Sequence, residues 1–583
     1  MILNVWDGLR PDSVSQRDTP NLFALAHDGV RFDRHHSQYP TITMVNAATL
    51  ATGAPPGVTG IYGDWQYLGP SLLMAGASLS NDGLGIFDLK PAMLENTKLL
   101  MVANASDGFN GRLLGIDTIA QEVAREGGYV AVLGKEGPTY LFDDRVATVG
   151  GGADMLHQKH SDNYLFAADD FAAPPDQSKA LLDALPAATR TGVSDRERDA
   201  YFARLVAERA IPAAKRATDE GHPALIVFWQ HNPDLTQHRA GLGTAEAITS
   251  LSTADDNLAK IRAALAANGV ENNTDVIVVS DHGFATIRLR VNLGPMLVAA
   301  GLKKSDDSTD VLVAPNGGSD LIYLSDEQFK GRAARADRLQ KIVNFCEAQE
   351  WCGPIFSREA APVSPGVRGN RAHLYLGWID GTFAQSSIGL ASATRSPDLI
   401  VSFREIPDLD NSQFTGPGKL AFSIGAKGQE PGANHSAELV RPVKGAVYAD
   451  LGKSENFTTG MGMHGAAGSR EIHNFGAAAG PDFKRHYVDL YPTGNIDIAP
   501  TIEELLGLMP NVGPGGAIAA GRALVEALAD GHGSVGAPHA MTMRTDLELA
   551  GVEAITTLRV TKLGERLYLD DSTVDRKPLG SSP

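Results

Sequence analysis

Seven residues of this chain have the types that hold divalent metals or attack phosphorus. Asp7 closes Ile2-Leu3-Asn4-Val5-Trp6-Asp7-Gly8, and Thr43 ends Tyr39-Pro40-Thr41-Ile42-Thr43. Asp234 and His238 stand four apart after Pro233, Asp281-His282 follow Val276-Ile277-Val278-Val279-Ser280, and His464 lies in Gly462-Met463-His464-Gly465. Zinc takes imidazole nitrogen and carboxylate oxygen, and paired ions about 4 Å apart hold both the attacking and the leaving oxygen of an in-line displacement. A Thr hydroxyl on such an ion is a nucleophile for phosphorus, because the metal depresses its pKa. The chemistry that this set could do is two-metal phosphoryl transfer.

Each residue alone has an ordinary alternative. Asp7 before Gly8 suits a turn, Thr43 suits a helix cap, and His464 between glycines suits a loop. Asp234 and His238 reach one metal only if a helical turn forms between them. Their joint occurrence requires five independent coincidences.

The elements that must position them are buried strands. Short apolar runs ending in Asp or Asp-His read as parallel strands covered on both faces, and ligands of such sheets gather beyond the strands' carboxyl ends. The pattern predicts an α/β fold, with a central, mostly parallel sheet flanked by helices on both faces. Helices are predicted over 20–28, 43–52, 115–128, 194–218 with a kink at Pro212, 244–268 and 499–508, the last capped by Asp497, and strands over 129–134 and 224–229. Thr43 falls in the first turn of its helix, at the positive dipole end.

The expected organisation is a catalytic core over 1–287 with an insertion at about 64–115, a cap over 288–460, the rest of the core over 461–530, and a C-terminal extension over 531–583. The cap reading rests on short strands and turns such as Val363-Ser364-Pro365-Gly366 and Gly416-Pro417-Gly418. Alternation in 556–560 and 566–569 predicts a terminal β-hairpin, with 580–583 frayed.

A chain of 583 residues with 43% hydrophobic and 21% charged residues is ordinary for a globular protein. Its net charge of −18 argues against a nucleic-acid polymer or an anionic membrane as partner. No apolar run reaches the roughly 18 residues of a membrane span. Cys346 and Cys352 are close enough for a small disulfide loop, with free thiols equally compatible. No secretory signal is visible, yet Met1 begins the first predicted strand, so the natural start is expected upstream. A periplasmic or secreted location is the expectation, with the cytosol left open, and the oligomeric state stays undefined.

Read together, the segments resemble the alkaline phosphatase superfamily, and within it the nucleotide pyrophosphatase/phosphodiesterase branch. Asp7-Gly8-Leu9-Arg10-Pro11-Asp12 is similar to the branch's opening motif, Thr19-Pro20-Asn21-Leu22 to the segment that follows it, and Pro40 to Asn46 with Thr52-Gly53 to its nucleophile segment. The resemblance continues through Pro233-Asp234, Ser280-Asp281-His282-Gly283, Met463-His464-Gly465 and Ala479-Gly480-Pro481. It implies that Asp7, Thr43, Asp281 and His282 hold one zinc ion, and Asp234, His238 and His464 the other. It further implies that Thr43 becomes transiently phosphorylated and that water then releases the phosphoryl group.

One position departs from the branch. Where it places an Asn that contacts a phosphoryl oxygen, twenty-one residues after the nucleophile, this chain has Asp64. An ionised carboxylate there would repel phosphate by roughly several kcal/mol in a dry site. Asp64 is therefore turned away, protonated or bound to a further cation, or the alignment slips.

The sulfatase branch shares the fold but needs an oxidisable Cys or Ser, which Thr43-Met44-Val45 lacks. Monoester enzymes add cations near the dianion, and only Arg10, Arg34 or an inserted residue offers one. A phosphodiester or nucleotide pyrophosphate is the expected small-molecule substrate, with a phosphate monoester or a phosphonate as alternative, and an inactive metal-stabilised binding protein as the reading from another class. Trp65, Tyr67 and Trp229 suit an aryl pocket or plain packing. His35, His36, His231 and His435 read as surface or supporting residues.

Overall fold

The structure, a computed structural model, describes residues 1–68, 92–105, 112–149, 152–155, 163–169, 171–187, 193–358, 375–392, 395–414, 419–423, 434–452, 457–510, 519–531, 535–549 and 551–578. Among these, nine strands build a central sheet: β1 Ile2–Trp6, β2 Val30–His36, β3 Tyr129–Gly134, β4 Tyr164–Ala168, β5 Ala172–Ala173, β6 Ala224–Gln230, β7 Val276–Val279, β8 Gly476–Ala479 and β9 Tyr487–Gly494. Their spatial order is β9-β2-β8-β7-β1-β6-β3-β4-β5. β7, β1, β6, β3 and β4 are mutually parallel, as are β9 and β2, while β8 runs antiparallel between β2 and β7. The fold is the mostly parallel α/β sheet that the buried runs imply.

Alternation along each strand feeds two cores. Leu3, Val5, Val227, Trp229, Ile277 and Val279 enter one. Ile2, Trp6, Ile226, Phe228, Val276 and Val278 enter the other. Neither face meets water, which is why hydrophobic alternation is lost from the sequence. Helix α1 (Pro20–Asp28) and helix α4 (Ala245–Ala267) cover the second core, the latter through Leu251, Ala254, Leu258, Ile261 and Leu265. Helix α2 (Thr43–Thr52) is buried along its whole length in the first. Between α2 and α4 in the chain lies the short helix α3 (Asp234–Ala240).

The helical run at 193–219 carries a π turn over Val206–Ala210 immediately before Pro212, so the irregularity expected at the proline sits one turn earlier. Between β7 and β8 no described residue adds a strand to the central sheet. A four-stranded sheet (285–291, 405–410, 444–450 and 462–463) and a five-stranded sheet (311–316, 319–324, 352–357, 383–384 and 399–403) form instead. The turns 363–366 and 416–418, and the chain end 580–583, lie outside the described residues.

The C-terminal tail forms three antiparallel strands, His539–Leu549, Val552–Leu563 and Arg566–Pro578, rather than a two-stranded hairpin. The extra strand has mostly exposed residues, so its apolar signal is weak. Met543, Leu558, Val560 and Leu569 pack with Phe356 and Phe383 of the five-stranded sheet. Cys346 and Cys352 are free, buried thiols. Among the described residues no helix is long and apolar enough to cross a membrane.

Candidate metal centre and active site

Four neighbouring parallel strands end at one place. Asp281 and His282 follow β7, Asp7 follows β1, Asp234 opens α3 just after β6, and Lys135 follows β3. The in-line register of β1 with β6 and β7 sets the three aspartates side by side. α2 brings Thr43 from the next unit, and the two-residue strand Gly462–Met463 of the four-stranded sheet delivers His464. Asp7, Asp281 and His282 are fully buried, and Thr43, Asp234 and His464 are at most 5% exposed.

The distances join all seven residues singled out from the sequence. Thr43 Oγ1 lies 3.2 Å from His282 Nε2, which is 3.1 Å from Asp281 Oδ2 and 3.6 Å from Asp7 Oδ1. Asp234 Oδ1 lies 3.2 Å from His238 Nε2 and 3.4 Å from His464 Nε2. The spacing of four in Asp234 to His238 is realised on α3, as a shared metal would require.

The donor set fits cations. His238 Nδ1 contacts Gly462 O, His282 Nδ1 contacts Gly283 O and His464 Nδ1 contacts Thr41 O, each at 2.9 Å. A carbonyl only accepts, so each Nδ1 carries a proton and each Nε2 is the nitrogen turned to the site, a ligand atom for a metal ion that displaces any proton there. Opposite them, Asp7 Oδ1, Asp234 Oδ1 and Asp281 Oδ2 are buried with no hydrogen-bond partner. Buried anionic oxygens without donors are costly unless a cation joins them. At this site two clusters have ligand atoms close enough for one ion, Asp234–His238–His464 and Asp7–Asp234–His282, with Asp234 common to both.

Electrostatics follow from this crowding. Burial opposes charge on His282, but Asp281, Asp7 and Asp234 together hold its imidazole up at about 10. Burial and the neighbouring Asp281 push the Asp7 carboxyl well above the usual range, a shift that a bound cation would reverse.

Lys135 is the site residue that motif reading overlooked. Its ammonium is 2.9 Å from Asp7 Oδ2, 3.4 Å from Glu95 Oε1 and 3.7 Å from Asp234 Oδ2. The available signal was its place: like Asp7 and Asp281, it is a polar residue at the end of a buried apolar strand. Arg10 and Arg34 do not supply the cation considered above. Arg10 is held by Asp12, Phe284 O and Lys444 O, and Arg34 by Thr561 and Asp570. Glu471 was also overlooked. It accepts from Thr41 Oγ1 at 3.2 Å and Ala466 N at 2.6 Å, fixing the loops on either side of His464.

Asp64 is neither displaced nor turned away. Its Oδ1 accepts from Met44 N, in the first turn of α2, at 3.2 Å, and it lines the same cavity as Thr43. Burial, then Glu95, raises its carboxyl to about 8 against the pull of Lys135. Trp229 lines no aryl pocket: it is wholly buried, and its Nε1 donates to Asp7 Oδ2 at 2.8 Å. Tyr67 packs on Tyr323, whereas Trp65 is 41% exposed and faces the cavity. His231 is clamped between Asp169 and Asp199, while His35 bonds Thr493 and Asn495 and His36 bonds Thr493 O and Asp570.

A cavity of about 900 Å³ opens over the site, walled by Thr43, Asp64, Trp65, Lys135, His238 and Phe457 among others. It has room for an organic group beyond the phosphorus.

A family model described as type I phosphodiesterase / nucleotide pyrophosphatase matches residues 1–344. No curated protein matches the sequence. Among solved structures, murine ectonucleotide pyrophosphatase / phosphodiesterase 5 is similar with a TM-score of 0.51 and 14% identity, over 87% of this chain and 95% of that one. An inactive form of the same murine protein, in complex with AMP, is similar with the same TM-score, identity and coverage. At that identity the likeness bears on the fold alone, the mostly parallel α/β sheet with its covering helices. The matched span carries Asp7, Thr43, Asp234, His238, Asp281 and His282, and this chain belongs to the type I phosphodiesterase / nucleotide pyrophosphatase family of phosphoric ester hydrolases.

Proposed function

We propose that the protein hydrolyses small phosphodiesters, nucleotide-type esters among them, at a centre of two divalent ions, zinc by its donor set, with Thr43 as nucleophile. Asp7, Thr43, Asp281 and His282 would hold one ion, and Asp234, His238 and His464 the other. The carrying observation is the set of three buried carboxylate oxygens without hydrogen-bond partners facing three imidazole Nε2 atoms beside Thr43 Oγ1. Bound there, the ions supply Lewis acidity to the phosphoryl oxygens and lower the hydroxyl pKa of Thr43.

The chain's own residues account for the rest. The N-terminal end of α2 favours the developing alkoxide on Thr43 Oγ1. That oxygen forms a bond to phosphorus as the bond to the organic oxygen breaks, leaving a phosphodiester on Thr43 and releasing an alcohol. Water then cleaves the Thr43–phosphorus bond, yielding the phosphate monoester and free Thr43. Asp64, as a neutral carboxyl accepting from Met44 N, is isosteric with the family's Asn and donates its proton to a phosphoryl oxygen.

Charge favours the diester over the monoester dianion. Lys135 is already surrounded by three carboxylates, and Arg10 and Arg34 are engaged elsewhere. The murine structure in complex with AMP supports the nucleotide-type substrate.

The test is zinc content together with turnover of bis-p-nitrophenyl phosphate, a p-nitrophenyl nucleotide ester, p-nitrophenyl phosphate and phosphonoacetate, before and after chelation and zinc repletion. Two zinc per chain with restorable diester hydrolysis is the expected result. Faster monoester or phosphonate turnover would reverse the substrate ranking, and zinc without turnover would leave a metal-stabilised binding protein.

A further inference from the structure

Lys135 has no part in the chemistry proposed above, yet its ammonium is buried, with 8% of the side chain exposed, among three carboxylates. An ammonium in such a place is expensive unless it is paired, so its position is a built feature. The backbone is shaped to deliver it. Gly134 ends β3 at φ +128°, where a Cβ would meet Trp229 O at 1.9 Å, and Lys135 N donates to that same carbonyl at 3.2 Å.

Two of the three carboxylates belong to different halves of the centre. Asp7 and Asp234 both turn Oδ2 toward Lys135, at 2.9 and 3.7 Å. Both thereby leave Oδ1 facing inward, Asp7 toward His282 at 3.6 Å and Asp234 toward His238 and His464 at 3.2 and 3.4 Å. Those inward oxygens are two of the three without hydrogen-bond partners. A carboxylate whose outer oxygen is held presents its inner oxygen in one orientation, as hydrogen-bonded carboxylate ligands do.

We propose that Lys135 is a positioning residue that clamps the outer oxygens of Asp7 and Asp234, so that a single buried cation couples the two halves of the site. The inference rests on the two-metal reading of the preceding section. The clamp is asymmetric. Asp7 Oδ2 also accepts from Trp229 Nε1 at 2.8 Å, so loss of Lys135 frees Asp234 more than Asp7. The half built from Asp234, His238 and His464 therefore weakens first.

Charge alone predicts the opposite sign. Removing a positive group near a cation site draws cations in more tightly. The direction of the affinity change thus separates a clamp from a mere counter-charge.

The experiment is competition of the zinc-loaded full chain with a chromophoric chelator, alongside diester kinetics, for the native protein, Lys135→Met and Lys135→Ala. The expected result is that Lys135→Met gives up one of its two ions about 10- to 100-fold more readily. Its kcat should fall by a similar factor with little change in KM, and ethylammonium should restore ion retention and turnover in Lys135→Ala. That amine rescue is read even if Lys135→Met fails to fold, and lack of rescue in a folded Lys135→Ala overturns the clamp. Equal or tighter zinc retention in a folded Lys135→Met also overturns it, as does a change in KM alone, which would make Lys135 a substrate contact. A native protein that holds no zinc would overturn the two-metal reading instead.

Discussion

His238 and His464 hold their Nε2 atoms 3.2 Å apart although each ring's Nδ1 is already committed to a backbone carbonyl, so both Nε2 atoms are aimed at one point. Asp234 Oδ1, without a donor, faces the same point. Two imidazole nitrogens and a carboxylate oxygen converging on one point are the ligand set of a divalent ion such as zinc. Chelation is therefore expected to abolish activity and to lower the unfolding midpoint, with zinc restoring both. At a free zinc concentration 100-fold above Kd the stabilisation is about 2.7 kcal/mol. Calorimetry with and without chelator measures it, and an unchanged midpoint would mean that no ion binds there.

Thr43→Ala removes the nucleophile and one candidate ligand while leaving the aspartates and histidines in place. Phosphate-ester turnover is expected to fall by at least about 10³-fold, the scale of losing an activated nucleophile. Zinc content should stay near that of the native protein. Trapping of labelled phosphate on the native chain, and not on the variant, checks the intermediate. Equal activity in the two proteins would remove Thr43 from the mechanism.

The site was legible because strand ends are legible. Asp7 and Asp281-His282 close apolar runs, and Asp234 to His238 spans one helical turn, so residue type and local period together pointed to one crevice. Lys135 closes an equally apolar run, but a lone Lys belongs to no metal-ligand pattern, and its role exists only through the neighbouring strands. Trp229 takes the packing role that its type allows, but an aromatic on a buried strand gives no sign of which carboxylate its indole reaches across the sheet. Asp497 was expected to cap the last helix, yet its oxygens accept from Gly494 N, Arg522 N and Tyr568 Oη, the last two from segments beyond local pattern.

Trp229→Phe keeps most of the ring volume and deletes the bond from Nε1 to Asp7 Oδ2. A buried hydrogen bond to a charged acceptor contributes about 1.5 to 3 kcal/mol, and the smaller ring leaves a void that adds to the loss. Urea unfolding should show at least about 2 kcal/mol of destabilisation in the variant. If Trp229 also orients Asp7, zinc retention falls in parallel. A loss of stability without any change in zinc retention would confine its role to packing.

Asp64 and Met44 N make the sharpest pH prediction, because Asp64 Oδ1 is fixed by that amide and the carboxyl is raised to about 8 by burial and by Glu95. Below that value the group is neutral, and its proton is available to a phosphoryl oxygen. As pH rises through about 8 it ionises, donates nothing, and repels the phosphate. The kcat/KM of the native protein is therefore expected to decline above about 8, while Asp64→Asn, which donates at every pH, lacks that limb. Asp64→Ala should lose about 10²-fold at all pH values, the scale of deleting one donor to a developing anion. An Asp64→Asn variant faster than the native protein even at pH 6 would show that the carboxylate is ionised throughout and acts as a brake, and loss of zinc from Asp64→Asn would show that it binds a further cation.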